Sequence, residues 1–172
     1  YHESFEDYFA AKAGLFDRIL SPDGVAVLNV DDQNVNKLAE LRKSRGQPYL
    51  NVGHTITADL QLLAQKYDMT GQTLRFAYQN KIHQTFLPLI GGFQAGNVLM
   101  AAGLCMAAGL DSQDIFGSLH QIRTVRGRMQ HAATRANGAP VFVDYAHTPD
   151  AVGTAISSFR PHVMGRLITI IG

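Results

Sequence analysis

Cysteine is almost absent from the 172-residue chain: Cys105 stands alone, so no disulfide can form within the chain, and the usage fits a reducing compartment such as the cytosol. Its neighbours Leu104, Met106 and Ala107 predict a buried thiol. An excess of either charge is missing too. Lys plus Arg number 15 against 14 Asp plus Glu, so no global field draws the chain to nucleic acid or to an anionic membrane. No apolar run approaches the roughly 20 residues that span a bilayer. The opening YHESFEDYFAAK lacks the basic-then-apolar pattern of a secretory leader, and internal repeats and low-complexity tracts are missing. What is present is the composition of a globular protein, 46% hydrophobic and 17% charged. Its length allows one good core or two small ones.

Local patterns order the elements. Ser4 and Asp7 predict the cap of a helix from Phe5 to Leu20, stopped by SPDG. VAVLNV is a continuous apolar run, as in a buried parallel strand, and it ends in Asp31 and Asp32. A polar helix over 34–44 and a short strand over 48–52 follow. Between Thr55 and Leu89, apolar stretches separated by MTG and QNK predict an antiparallel meander. GGFQAGNVLMAAGLCMAAGLD predicts a small-residue helix, with Gly109 as its stop and Asp111 capping the next one. The tract over 121–140 holds four arginines and lies in an acid-free stretch between Asp114 and Asp144; it reads as a hinge. Beyond it, a strand over 140–144, a helix over 149–159 and a strand over 166–171 predict the opening of a second parallel sheet.

Several residues could carry chemistry. Lys12 falls on the same helical stripe as Phe5, Tyr8, Leu15, Phe16 and Ile19. It is either a snorkelling lysine or a desolvated, nucleophilic one, and pattern does not choose between them. Arg123, Arg126, Arg128 and Arg135 suit either a polyphosphate or a solvated linker. VFVDYAHTPDAV, residues 141–152, runs from β-formers straight into Asp144, His147 and Asp150. In open α/β sheets ligands sit beyond the carboxyl ends of the strands, so this loop reads as ligand-facing. Asp144 there suits a sugar hydroxyl more readily than a metal, and Asp150 suits the first turn of the following helix. Asn97 is either a turn residue or an amide able to read a purine edge. His2, His54, His83, His120, His131 and His162 are scattered and carry no assignment.

Taken in order, YHESFEDYFAAKAGLF, VLNVDD, GGFQAGNVLMAAG, GRMQ and above all VFVDYAHTPDAV resemble the Mur ligases, the ATP-dependent amino-acid ligases of peptidoglycan and cell-wall assembly. Within that family they resemble the branch that adds a third amino acid, diaminopimelate or lysine, to a UDP-muramoyl dipeptide. The resemblance implies an α/β fold: residues 1–130 as the latter part of a central ATP-binding domain, and residues 131–172 as the start of a Rossmann-like ligase domain. It implies ATP and Mg²⁺, with Lys12 carbamylated as an oxygen ligand to the metal. Asn97 would lie near the adenine, Arg128 on the phosphates, Asp144 on the ribose, and His147 in the loop facing the phosphates. It further implies a cytoplasmic monomer without nucleic-acid or membrane partners.

The chain departs from the family pattern at Gln130, where Glu is usual, and at Gln94, where Asn is common. It reads as a piece of a longer protein. The glycine-rich phosphate loop, a histidine metal ligand and the UDP-sugar domain are expected upstream. An Asp-Asn-Pro motif that selects the amino acid is expected downstream, so this stretch alone is expected to be inactive. A sister ligase, such as a folylpolyglutamate synthase, and a non-catalytic nucleotide-binding module remain the alternatives.

Overall fold

The structure, a computed structural model, describes residues 2–172. Its first helix, α1 (Phe5–Gly14), starts where the Ser4 hydroxyl accepts the Asp7 N–H at 3.1 Å. Instead of running on as one α-helix to Leu20, it widens into a π-helical turn over Leu15–Ile19. The guanidinium of Arg45 donates to the carbonyls of Phe16 and Asp17 within that turn. The strand β1 (Ala26–Asn29), the helix α2 (Val35–Ser44) and the strand β2 (Tyr49–Gly53) follow as expected.

The meander is present as β3 (Leu60–Tyr67), β4 (Gln72–Tyr78) and β5 (Lys81–Leu87). The β4–β5 turn places Gln79 and Asn80 at φ +48° and +60°, the paired left-handed geometry that twists a two-residue hairpin correctly. The sheet order is β1-β2-β3-β4-β5, parallel across its first two pairings and antiparallel across the rest. Overlap of β2 with β3 is brief, Val52 against Leu60 and Gly53 against Gln61, so β3 leaves its parallel neighbour early and carries the meander alone.

Helix α3 (Phe93–Ala107) lies on this sheet, and α4 (Ser112–Ser118) packs beside it. Ala95, Val98, Leu99, Ala102 and Gly103 form the buried stripe of α3, at three- and four-residue spacing. They meet Val27, Val52, Leu60, Leu62, Leu74, Phe76 and Leu87 in one core. Small residues on the stripe allow close approach: a Cβ added at Gly103 would lie within 3.0–3.2 Å of Val27, Leu50 and Val52. Cys105 falls off the stripe and is exposed, which corrects the expected buried thiol. Its apolar neighbours were no guide because Leu104 is exposed as well.

The arginine tract is not entirely a connector. It supplies β6 (Gln130–Thr134), which pairs antiparallel with β7 (Pro140–Val143) in a two-stranded sheet. Helix α5 (Pro149–Phe159) starts at Thr148, whose hydroxyl accepts the Ala151 N–H, and Asp150 lies in its first turn. The second parallel sheet is not formed. Residues 166–171 adopt no strand, and Ile168, Ile170 and Ile171 are largely exposed. An apolar, β-branched run makes a strand only when a neighbour accepts its backbone bonds, and among the described residues β7 has β6 as its sole partner. No described helix is long and apolar enough to cross a membrane.

Candidate functional site

The loop after β7 is tied to the turn before β6. Asp144 is half-buried; one carboxylate oxygen accepts the Ala146 N–H at 2.9 Å, and the other accepts the Met129 N–H at 2.9 Å. The turn itself is strained, with Gly127 at φ +70° and Met129 at +48°. A left-handed backbone at a non-glycine residue persists only where its surroundings over-determine it, and here they do. The Gln130 amide oxygen accepts the Gly127 N–H at 2.9 Å, and the Thr124 hydroxyl donates to the Arg128 carbonyl at 2.6 Å. The Arg128 N–H donates to the Val125 carbonyl at 3.0 Å, and the Met129 side chain is buried.

With its backbone held on every side, Arg128 presents an exposed guanidinium 5.8 Å from the Tyr145 ring centre. Among the described residues the ion pair is that of His54 with Asp31, at 2.8 Å, so Arg128 carries its charge without a carboxylate partner. His147 is exposed, its Nδ1 3.0 Å from the Tyr145 carbonyl, which leaves Nε2 turned outward. A guanidinium carried on a turn that the strand-end carboxylate itself holds can meet a phosphate while the carboxylate takes a hydroxyl. Each Asp144 oxygen retains a lone pair for that purpose.

Of the residues singled out in the sequence, Arg128, Asp144 and His147 are therefore brought together. Asn97 lies in the second turn of α3, exposed, its amide 3.5 Å from the Gln94 side-chain oxygen. The loop that opens α3 reaches the same region: a Cβ built on Gly91 would stand 3.5 Å from the Met129 Cγ. Lys12 is not gathered in. It is exposed, its ammonium 5.4 Å from the Tyr8 ring centre. Its stripe is exposed with it, Phe5 by 53% and Ile19 by 75%. Of the two readings left open for Lys12, burial on an apolar stripe is not seen among the described residues, where Tyr8 and Leu15 beside it are exposed too.

Among the described residues no three His, Cys, Asp or Glu side chains converge as metal ligands, so a magnesium set around residue 12 is not assembled by them. Two shallow cavities of about 260 and 270 Å³ flank α4 and contain none of these residues. Thr124 lies in no quoted motif, and Tyr145 and Gln130 sit inside motifs that assigned them no role. Gln130 was visible only as a departure from a pattern.

Residues 1–105 match the Mur ligase middle domain and residues 127–172 the Mur ligase glutamate ligase domain. The chain belongs to the Mur ligase family. This Mur ligase chain is 39% identical over 172 residues to the UDP-N-acetylmuramoyl-L-alanyl-D-glutamate–2,6-diaminopimelate ligase of Zymomonas mobilis, covering 100% of the chain and 35% of that relative. It is 40% identical to the ligase of the same name from Caulobacter vibrioides, with the same coverage. It therefore spans about a third of the length of these relatives. A solved ligase of that name superimposes with a TM-score of 0.78 at 29% identity, over 95% of this chain and 33% of that one. Mycobacterium tuberculosis folylpolyglutamate synthase complexed with ADP shares the fold, with a TM-score of 0.71 at 22% identity over 93% of this chain and 35% of that one.

Proposed function

We propose that this chain is part of a cytoplasmic ATP-dependent ligase of peptidoglycan synthesis. The enzyme adds diaminopimelate to UDP-N-acetylmuramoyl-L-alanyl-D-glutamate, acting as a monomer. The observation that carries this reading is the bond from the Met129 N–H to Asp144, which ties the turn of Arg128 to the strand-end loop that holds His147. The names of relatives at 39% and 40% identity favour diaminopimelate over lysine. Residues 1–130 are assigned to the central ATP-binding domain and residues 131–172 to the ligase domain.

In the reaction, an oxygen of the substrate's terminal carboxylate attacks the γ-phosphorus of ATP, and ADP leaves. The amine of the amino acid then attacks the acyl phosphate carbon, an amide bond forms, and inorganic phosphate departs as the nitrogen loses a proton. Phosphoryl transfer is governed by positioning and charge stabilisation. Arg128 neutralises phosphate oxygens, His147 lies in the loop that faces them, Asp144 accepts from the ribose, and Asn97 faces the adenine. Lys12, were its amine carbamylated, would be the residue to hold magnesium, whose charge would offset that of the phosphates.

The test is phosphate release by the full-length protein. It is expected to require ATP, the muramoyl dipeptide and diaminopimelate together, and to fall about 100-fold in Arg128→Ala, as when one preorganised charge stabiliser is removed. Release that ignores the amino acid, or that survives Arg128→Ala intact, contradicts the reading.

A further inference from the structure

Sequence patterns left His162 without a role, yet among the described residues it is the one buried histidine, 4% exposed. It follows α5 in a single 3-10 turn (Arg160–His162). Its Nε2 lies 3.1 Å from the Gly91 backbone nitrogen, a donor, so Nε2 must accept. Its Nδ1 lies 2.7 Å from the Asp68 carbonyl, an acceptor, so Nδ1 must carry the proton. Two backbone groups thus select one neutral tautomer. The ring also meets Tyr67 edge-on, with centres 4.9 Å apart, and lies 6.4 Å from Phe159. The Asp68 carboxylate bonds to Thr70 and Gly71, so the hydrogen bonds of the ring run to backbone groups.

What His162 grips is a loop already fixed from the opposite side. The fully buried Gln72 donates its amide to the carbonyls of Leu89 at 3.2 Å and Gly91 at 2.9 Å. Gln65 donates to the Gly92 carbonyl at 2.7 Å and to the Gln72 side-chain oxygen at 2.8 Å. The Gly92 N–H points to the Ser158 carbonyl in α5 at 3.4 Å. Gly91 sits at φ +102°, a conformation open to glycine, and Met129 stands against it. The start of α3, the strand junction of the meander, the end of α5 and the turn of Arg128 all converge on four residues.

We propose that His162 is a positioning residue. It anchors the C-terminal unit of β6, β7 and α5 on the Leu89–Gly92 loop, and so sets where Arg128 and Asp144 stand relative to Asn97 on α3. The role in ATP binding rests on the function proposed above; the contact does not. Were the anchor lost, the two parts of the nucleotide site would be held in register by the 122–129 connection, the long Gly92–Ser158 bond and the packing of Met129 beside Gly91.

The experiment uses the full-length protein and three variants. His162→Phe keeps the ring packing and removes both bonds, His162→Met removes them with a flexible apolar chain, and His162→Gln restores one donor and one acceptor. Amide exchange at Gly91, the ATP dissociation constant, KM and kcat are measured for each. Two bonds of ordinary strength correspond to about 5- to 30-fold weaker ATP binding in the Phe and Met variants. Faster Gly91 exchange should accompany the loss, KM should rise more than kcat falls, and the Gln variant should recover most of the affinity. Unchanged Gly91 exchange in both apolar variants overturns the anchor. Wild-type ATP affinity in a variant whose Gly91 exchange has risen overturns the positioning role alone. A wild-type protein that does not bind ATP refutes the function proposed above, and the positioning role with it.

Discussion

Met129 holds a left-handed backbone at φ +48°, which costs a non-glycine residue about 1–2 kcal/mol. The cost is offset by burial of its side chain and by the bond from its N–H to Asp144. One residue before it, Arg128 gains direction from that strain, since the turn has no slack left to absorb. Gln130 is the most testable support, because its side chain satisfies the Gly127 N–H with a neutral amide. Gln130→Met keeps the volume and removes the acceptor. Stability should drop by about 1 kcal/mol and kcat/KM for ATP by about tenfold, measured by denaturant unfolding and steady-state kinetics. Gln130→Glu supplies the acceptor again and should stay near wild type; equal damage in both variants would show that the bond to Gly127 is not what matters. At this departure from the family pattern the Gln130 amide still supplies an acceptor to the Gly127 N–H.

At the scale of elements, caps and turns formed where their chemistry predicted. Ser4 and Asp111 each cap a helix with a side-chain oxygen, Asp150 lies in the first turn of α5, and Gln79–Asn80 closes the hairpin. These features depend on residues within four positions of one another, which is why they could be read directly from the chain. The errors were of another kind. Residues 166–171 have strand-like composition and no strand, and β6 arose inside a tract that looked like a linker, because pairing depends on what lies alongside. Gln72 shows the same dependence: a polar residue opening a strand, it is fully buried because the Leu89 and Gly91 carbonyls need its donors. Gln72→Leu should cost about 2–4 kcal/mol, since two buried carbonyls lose their partner. A loss below about 1 kcal/mol in thermal or urea unfolding would mean that the loop finds other donors.

Across the whole molecule, the junction around Leu89–Gly92 also shapes the response to pH. Burial raises the Tyr67 phenol above its ordinary value of 10.0. The folded state therefore holds that proton more tightly than the unfolded chain does. The stabilisation is complete below the unfolded value and disappears as pH rises through the higher folded one. Stability measured from pH 8 upward should accordingly fall on the alkaline side more steeply in the wild type than in Tyr67→Phe, with the two curves parallel below about pH 9. Curves that remain parallel throughout would remove Tyr67 from the account.

Composition, capping residues, turn chemistry and the order of motifs were enough to determine the α/β class, the meander, the helices and the family, because each is written in neighbouring residues. They also named Arg128, Asp144 and His147, which share one short stretch of chain across a hairpin. Tertiary structure alone decided that Lys12 lies in water, that Cys105 faces outward and that Gln130 supports the arginine turn. It alone found His162, whose partners lie 71 and 94 residues away along the chain. Burial and long-range bonding are properties of the closed fold, and no local pattern records which distant carbonyl or amide a side chain will meet.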